Sequence, residues 1–186
     1  MKRILITGMS GTGKSTVVKE LAARGFKAVD IDHPDWSEYR EVTLTPGGPP
    51  VREWLWREGR VRDLLAAEDA DVLFISGCAA NQGQFYSGLD HVVLLSAPVD
   101  VMLRRLATRN TNSFGKSAEE REKILRDREE IEPLLRRRAT LEIDTSAPLE
   151  EVVARLVALA SEPQGSPARV TSPARGGTRR RRRPPG

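Results

Sequence analysis

The chain holds one cysteine, two histidines and only 5% aromatic residues, and each shortage removes a class of protein. A single thiol, Cys78, cannot build an internal disulfide framework, which fits a reducing compartment, and it reads as a small packed residue rather than a reactive group. Without a cluster of histidines and cysteines, no metal centre can be assembled from those ligands alone. No apolar run approaches the roughly 20 residues needed to span a bilayer. Met1-Lys2-Arg3 leads straight into a strand-like run instead of a signal sequence, so a cytosolic protein without membrane contact is expected.

A length of 186 residues suits one domain with an appendage, and the charge shows where the appendage begins. From Ser161 onward there are seven arginines against one acid, Glu162, so subtracting that +6 from the total of +4 leaves −2 for the first 160 residues. The segment is rich in Pro, Gly, Ser and Arg and has almost nothing apolar, so it cannot offset its ordering entropy. Residues 161–186 are therefore expected to be a disordered basic tail. Its run Arg179 to Arg183 is the only feature that could contact nucleic acid.

The stretch GMSGTGKST, Gly8 to Thr16, fills the pattern G-x-x-x-x-G-K-[ST] and requires a strand before it and a helix after it. Arg3 to Thr7 supplies a β-branched apolar run, and Val17 to Ala23 carries apolar residues at helical spacing. Gly8, Gly11, Thr12, Gly13, Ser15 and Thr16 then present backbone N–H groups and hydroxyls to phosphate oxygens at a helix N-terminus. Lys14 reaches the β- and γ-phosphates, and Ser15 offers its hydroxyl to Mg²⁺, a hard ion that prefers oxygen. ATP with Mg²⁺ is the ligand this loop implies.

Strand-like runs recur at Lys27 to Ile31, Asp71 to Ser76, His91 to Ser96 and Thr140 to Asp144. Helical patterns fall at about Val51 to Ala67, Val99 to Thr108, Ala118 to Arg138 and Pro148 to Ala160, and the alternation predicts a three-layer α/β/α sandwich on a five-stranded parallel sheet. In such sheets ligands gather at the carboxyl ends of the strands.

Past the second strand, Asp30 and Asp32 stand two apart and are expected to point the same way. Asp32 is placed to support Mg²⁺ or to receive the proton of an attacking hydroxyl, with His33 beside it. Past the third strand, Ser76-Gly77 replaces the acid of motor-type and switch-type NTPases, which shifts the metal burden to Asp32. Gly77 allows close backbone approach, and Asn81, Gln82 and Gln84 could bond a polar substrate. Past the fourth strand, Arg104, Arg105 and Arg109 leave a helix, and residues 109–120 form a polar basic excursion that could close over triphosphate as a lid. Arg109, Lys116 and Arg105 are its candidate phosphate ligands, and Arg136 to Arg138 could add one more. Between the second and third strands, Trp36, Tyr39, Trp54 and Trp56 with Arg52, Arg57 and Arg62 would bind the acceptor. Read as helical, Trp54 and Trp56 cannot share a face, so one of them is expected to be exposed.

These motifs, together with DIDH, the glycine ending the third strand, the arginine-bearing lid and the closing EIDTSAPLEEVVARL, resemble the P-loop small-molecule kinases of the adenylate kinase and shikimate kinase group over roughly residues 1–160. The resemblance implies the sheet order 2-3-1-4-5, use of ATP and Mg²⁺, and γ-phosphoryl transfer to a small acceptor. It matches Asp32 to the aspartate on the substrate side of the second strand and Arg109 to the lid arginine. SGCAAN lacks the glycine triplet of shikimate kinases, which argues against shikimate as acceptor.

The expected function is thus an ATP- and Mg-dependent phosphotransferase acting on a small polar or nucleotide-like acceptor, with Lys14, Asp32 and Arg109 catalytic and Ser15 and Asp32 on the metal. The alternative is a nucleotide-binding regulator or slow ATPase whose basic tail contacts nucleic acid.

Overall fold

The computed structural model describes residues 1–43, 45–109 and 115–163. All of the expected basic tail from residue 164 onward lies outside the described residues, as do the lid positions 110–114. In chain order the elements are β1 (Lys2–Thr7), α1 (Lys14–Ala23), β2 (Lys27–Asp30), β3 (Ser37–Thr43), β4 (Pro50–Trp56), α2 (Glu58–Ala66), β5 (Val72–Ser76), β6 (His91–Ser96), α3 (Val99–Thr108), α4 (Ala118–Glu130), α5 (Glu132–Arg138), β7 (Leu141–Asp144) and α6 (Leu149–Ser161).

Ile4, Leu5 and Ile6 are fully buried, and each such side chain is worth roughly 1.5–3 kcal/mol relative to exposure, so β1 is driven to the middle of a sheet. The sheet runs β2-β5-β1-β6-β7 with every pairing parallel, which is the order 2-3-1-4-5 when only these strands are counted. Strand side chains alternate between the two faces. Ile4, Ile6, Phe74, Val93 and Leu95 meet Val17 and Leu21 of α1 and Val153 and Leu156 of α6 on one side. Leu5, Leu73, Ile75 and Val92 meet Val61 and Leu65 of α2 on the other, and Leu94 packs with Met102, Leu106, Ile124 and Leu135. Among the described residues no helix is long and apolar enough to cross a membrane.

Four expectations are corrected. The helix expected from Val51 begins only at Glu58, because residues 50–56 form β4, paired antiparallel with β3 from Ser37↔Trp56 to Thr43↔Pro50. Cross-strand packing decides this, with Tyr39 and Trp54 ring centroids 4.7 Å apart. On a strand Trp54 and Trp56 share a face: Trp56 is 2% exposed and Trp54 half-buried, so neither is the exposed tryptophan that helical spacing implied. The single helix expected over Ala118 to Arg138 is broken at Ile131, since Pro133 has no N–H and its ring excludes the carbonyl four residues back. Finally, β2 ends at Asp30, leaving Asp32 in the turn beyond it.

Candidate active site

The loop after β1 curls over the carboxyl end of the sheet. Gly8 and Gly11 have φ of 147° and 88°, and a Cβ at Gly8 would stand 2.3 Å from the Leu95 carbonyl oxygen, so both conformation and space demand glycine there. Thr12 is buried and donates its hydroxyl to the Met9 carbonyl at 2.8 Å, pinning the loop from inside. Lys14 folds back, its ammonium donating to the carbonyls of Gly8 at 2.7 Å and Met9 at 3.3 Å. Gly13 starts α1 with no side-chain cap, and the first turn holds no acid, so its N–H groups and the positive helix end face outward together with exposed Ser15 and Thr16. That is the arrangement an anion needs.

Two carboxylates flank this loop, and they diverge. Asp30 accepts the Ser15 hydroxyl at 2.7 Å and the Asp32 backbone N–H at 3.2 Å. Asp32 turns the other way, accepting the Cys78 N–H at 2.9 and 3.1 Å on its two oxygens and the Trp56 indole N–H at 3.4 Å. Of the two acids it is Asp30, not Asp32, that accepts from Ser15, because the chain bends between them. Burial raises the Asp32 pKa above the ordinary aspartate value, while the Lys14 ammonium opposes that rise. Burial likewise pushes the Cys78 thiol up, which suits the packed reading of that residue.

Gly77 is required here by contact: a Cβ would lie 2.8 Å from Asp32 Oδ1 and 3.0 Å from Trp56. Asn81 is committed to structure, accepting the Trp56 N–H at 2.9 Å and donating to its carbonyl at 3.0 Å. Gln82 is buried and accepts the Thr7 hydroxyl, whereas Gln84 is exposed. Arg105 is not a loose lid residue. It donates to the Thr145 hydroxyl at 2.9 Å and carbonyl at 2.6 Å and makes a long 3.5 Å contact to the Gly11 carbonyl, so it joins the end of β7 to the phosphate loop. Thr145 stands inside the closing EIDTSAPLEEVVARL with no role expected of it there, although its place just past a strand end marks it. Arg109 is half-buried, which lowers its guanidinium pKa, with Glu120 opposing. Glu120 also accepts the N–H groups of Gly115, Lys116 and Ser117 and completes a capping box with Ser117, fixing the return from the expected lid. The Lys116 side chain is exposed.

Of the other candidate arginines, Arg137 and Arg138 are exposed and three are tied elsewhere. Arg136 joins Glu132 and Glu142, Arg62 pairs with Glu58, and Arg57 pairs with Glu38 at 2.7 Å. His33 is exposed beside Asp35 at 3.2 Å. Arg52 stacks over the Tyr39 ring at 4.6 Å and Arg60 over Trp36 at 5.8 Å. Beyond Asp32, a depression of about 690 Å³ is lined by Pro34, Asp35, Glu38 and the arginines 40, 57 and 60. Among the described residues no group of three or more His, Cys, Asp or Glu side chains could hold a metal ion by itself.

A parallel sheet in this order, with an uncapped glycine loop before α1, defines a P-loop nucleotide-binding fold. The family described as an AAA domain matches residues 4–126, more than half of the chain, and the chain belongs to it. No curated protein matches the sequence. Solved structures with the same fold include the shikimate kinase from Acinetobacter baumannii in complex with shikimate, at 22% identity and a TM-score of 0.57 over 86% of this chain and 92% of that one. A shikimate kinase from Bacteroides thetaiotaomicron follows at 21%, 0.56, 85% and 97%, and a gluconokinase from Sinorhizobium meliloti 1021 at 19%, 0.52, 86% and 91%. The fold is thus that of P-loop small-molecule kinases.

Proposed function

We propose that the protein is a phosphotransferase that moves the γ-phosphoryl group of Mg·ATP to a hydroxyl of a small polar acceptor. The observation that carries this reading is Asp32, a half-buried carboxylate held by the Cys78 amide and the Trp56 indole close enough to Lys14 for the ammonium to shift its ionisation. A carboxylate so placed can accept the proton of an attacking hydroxyl and fix its direction. A phosphate acceptor at the same place would face the like charges of Asp30 and Asp32, which favours an alcohol.

The oxygen donors suit a hard divalent cation brought in by the nucleotide. Ser15 and Asp30 would hold it, and when bound it supplies charge neutralisation between the β- and γ-phosphates. On transfer Lys14 cradles the phosphoryl oxygens, Arg105 braces the loop from β7, and Arg109 and Lys116 add positive charge from the lid side. The β3–β4 hairpin and the depression beyond Asp32 form the acceptor side. The lone thiol fits work in the cytosol.

A coupled ADP-release assay across hydroxylated metabolites and nucleoside monophosphates tests this. Acceptor-stimulated turnover with an alcohol, abolished by Lys14→Ala, is expected. Turnover that responds instead to RNA or DNA, and is lost with the basic tail, would replace this reading by the nucleotide-dependent regulator.

A further inference from the structure

The strand beside β1 ends in Ser76, where P-loop ATPases carry the acid that supports the cation. Ser76 is fully buried, and its hydroxyl has no hydrogen-bond partner among the described residues. Its direction follows from register. Ser76 is paired with Ile6 of β1 on one side and with Asp30 of β2 on the other, and paired residues of a parallel ladder project to the same face. Ile6 packs with Val17, Val18 and Leu21 of α1, and Asp30 accepts from Ser15 at the start of that helix. The Ser76 side chain therefore projects to the side of the sheet covered by α1, its backbone about one strand spacing of 4.8 Å from that of Asp30.

The apolar neighbours on this face cannot satisfy a hydroxyl, and leaving it unsatisfied costs free energy. The polar side chains that register and hydrogen bonding place on the same face are Asp30 and Ser15, the pair assigned to the cation. Mg²⁺ dehydrates reluctantly and is held largely through its waters. We propose that Ser76 is a positioning residue for the nucleotide-bound cation: its hydroxyl and the Asp30 carboxylate together hold one of the cation's waters. Two adjacent strands would then supply what a single acid at the end of β5 supplies in other NTPases. The inference rests on Mg·nucleotide binding at the loop, as assigned above.

Calorimetric titration of ADP into the full-length protein, with Mg²⁺ and with EDTA, tests it. For Ser76→Ala the expected results are unchanged affinity in EDTA and a loss of about tenfold in the gain that Mg²⁺ provides, the size typical of an outer-shell ligand partner. The unliganded variant should melt at the same temperature as the parent or higher, because an unsatisfied group has been removed. Ser76→Cys, nearly isosteric with a weaker hydrogen-bonding group, should show an intermediate loss and keeps the test decisive if alanine disturbs folding. Retention of the whole Mg²⁺ gain by both variants overturns the inference alone. So does a parallel fall in EDTA affinity and unliganded melting temperature. A parent protein with no Mg²⁺ gain overturns both the inference and the phosphotransferase reading.

Discussion

Gly77→Ala tests the placement of Asp32 most directly. Gly77 is not among the glycines with left-handed φ, so alanine carries no conformational strain and would, by restricting the unfolded chain, stabilise by about 0.4–1 kcal/mol if the site had room. It has none. The new Cβ would stand 2.8 Å from Asp32 Oδ1 and 3.0 Å from both Ile31 Cγ1 and Trp56 Cζ2. Ile31 and Trp56 are 0% and 2% exposed, so neither can swing aside, and overpacking of this kind costs about 1–3 kcal/mol. The steric term wins, and a net loss of roughly 1–2 kcal/mol is expected, or about 2–8 °C in melting temperature for a domain of this size. The movable partner is the carboxylate, so Asp32 is pushed off the Cys78 amide, and turnover should fall about 10²-fold, as for a misplacement near 1 Å. Gly83→Ala is the control, since its Cβ meets nothing within 4 Å and its φ is ordinary. Thermal melts and steady-state kinetics of both variants decide the matter. If Gly77→Ala matches the parent in stability and turnover, Asp32 does not rest against Gly77 and the Cys78 amide.

Asp32→Asn should be inactive yet more stable at neutral pH. Burial raises the folded-state pKa, so the stability linked to Asp32 is fully present below its unfolded value of about 3.9 and is lost as pH rises through the folded value. In EDTA the variant should melt higher than the parent at pH 7, a gap that closes below about pH 4 in melts taken across pH. Arg105→Ala removes two hydrogen bonds to Thr145 and the reach to Gly11, and should cost about 1–3 kcal/mol in urea unfolding together with weaker ADP binding. Arg105→Lys should not restore either, because a point charge cannot make the same fork. Truncation after Pro163 should leave melting and acceptor-stimulated turnover unchanged. Truncation after Ser161 removes the Glu162 carbonyl that accepts from buried Lys2, and should cost about 1 kcal/mol in the same melts.

What the residues revealed depended on whether local pattern or distant partners decide each element. β1, the glycine loop and α1 are written in one continuous stretch, because an apolar run, obligatory glycines and a helical repeat each act over a few residues. The four other parallel strands were legible as short apolar runs for the same reason. The hairpin was not. Val51, Trp54 and Leu55 satisfy helical spacing as well as strand packing, and the choice falls to Ser37–Thr43 lying opposite. The turn residues between them, Pro46 to Pro49 with Gly47 at φ 76°, were the available signal. The acids show a subtler failure. Spacing of two implies one side only while the strand continues, and β2 stops at Asp30, so Asp30 and Asp32 part company in the turn.

The end of the hairpin is tied to the loop after β5 and to Asp32. Asn81 holds both backbone groups of Trp56, the Ala80 N–H bonds the Trp54 carbonyl at 3.2 Å, and the Trp56 indole reaches Asp32. The loop after β5 thus serves as an edge partner for β4 while its Cys78 amide orients the carboxylate. Residues toward the hairpin tip, such as exposed Glu41 and Thr43, make no bond described above to the phosphate loop or Asp32, so on the proposed reading substitutions there can change which acceptor fits without disturbing the acid. Trp56 is where that independence ends. A change at Trp56 disturbs the end of the hairpin and the Asp32 carboxylate together, so, with the hairpin on the acceptor side as proposed, acceptor choice can diverge along it only as far as that tryptophan.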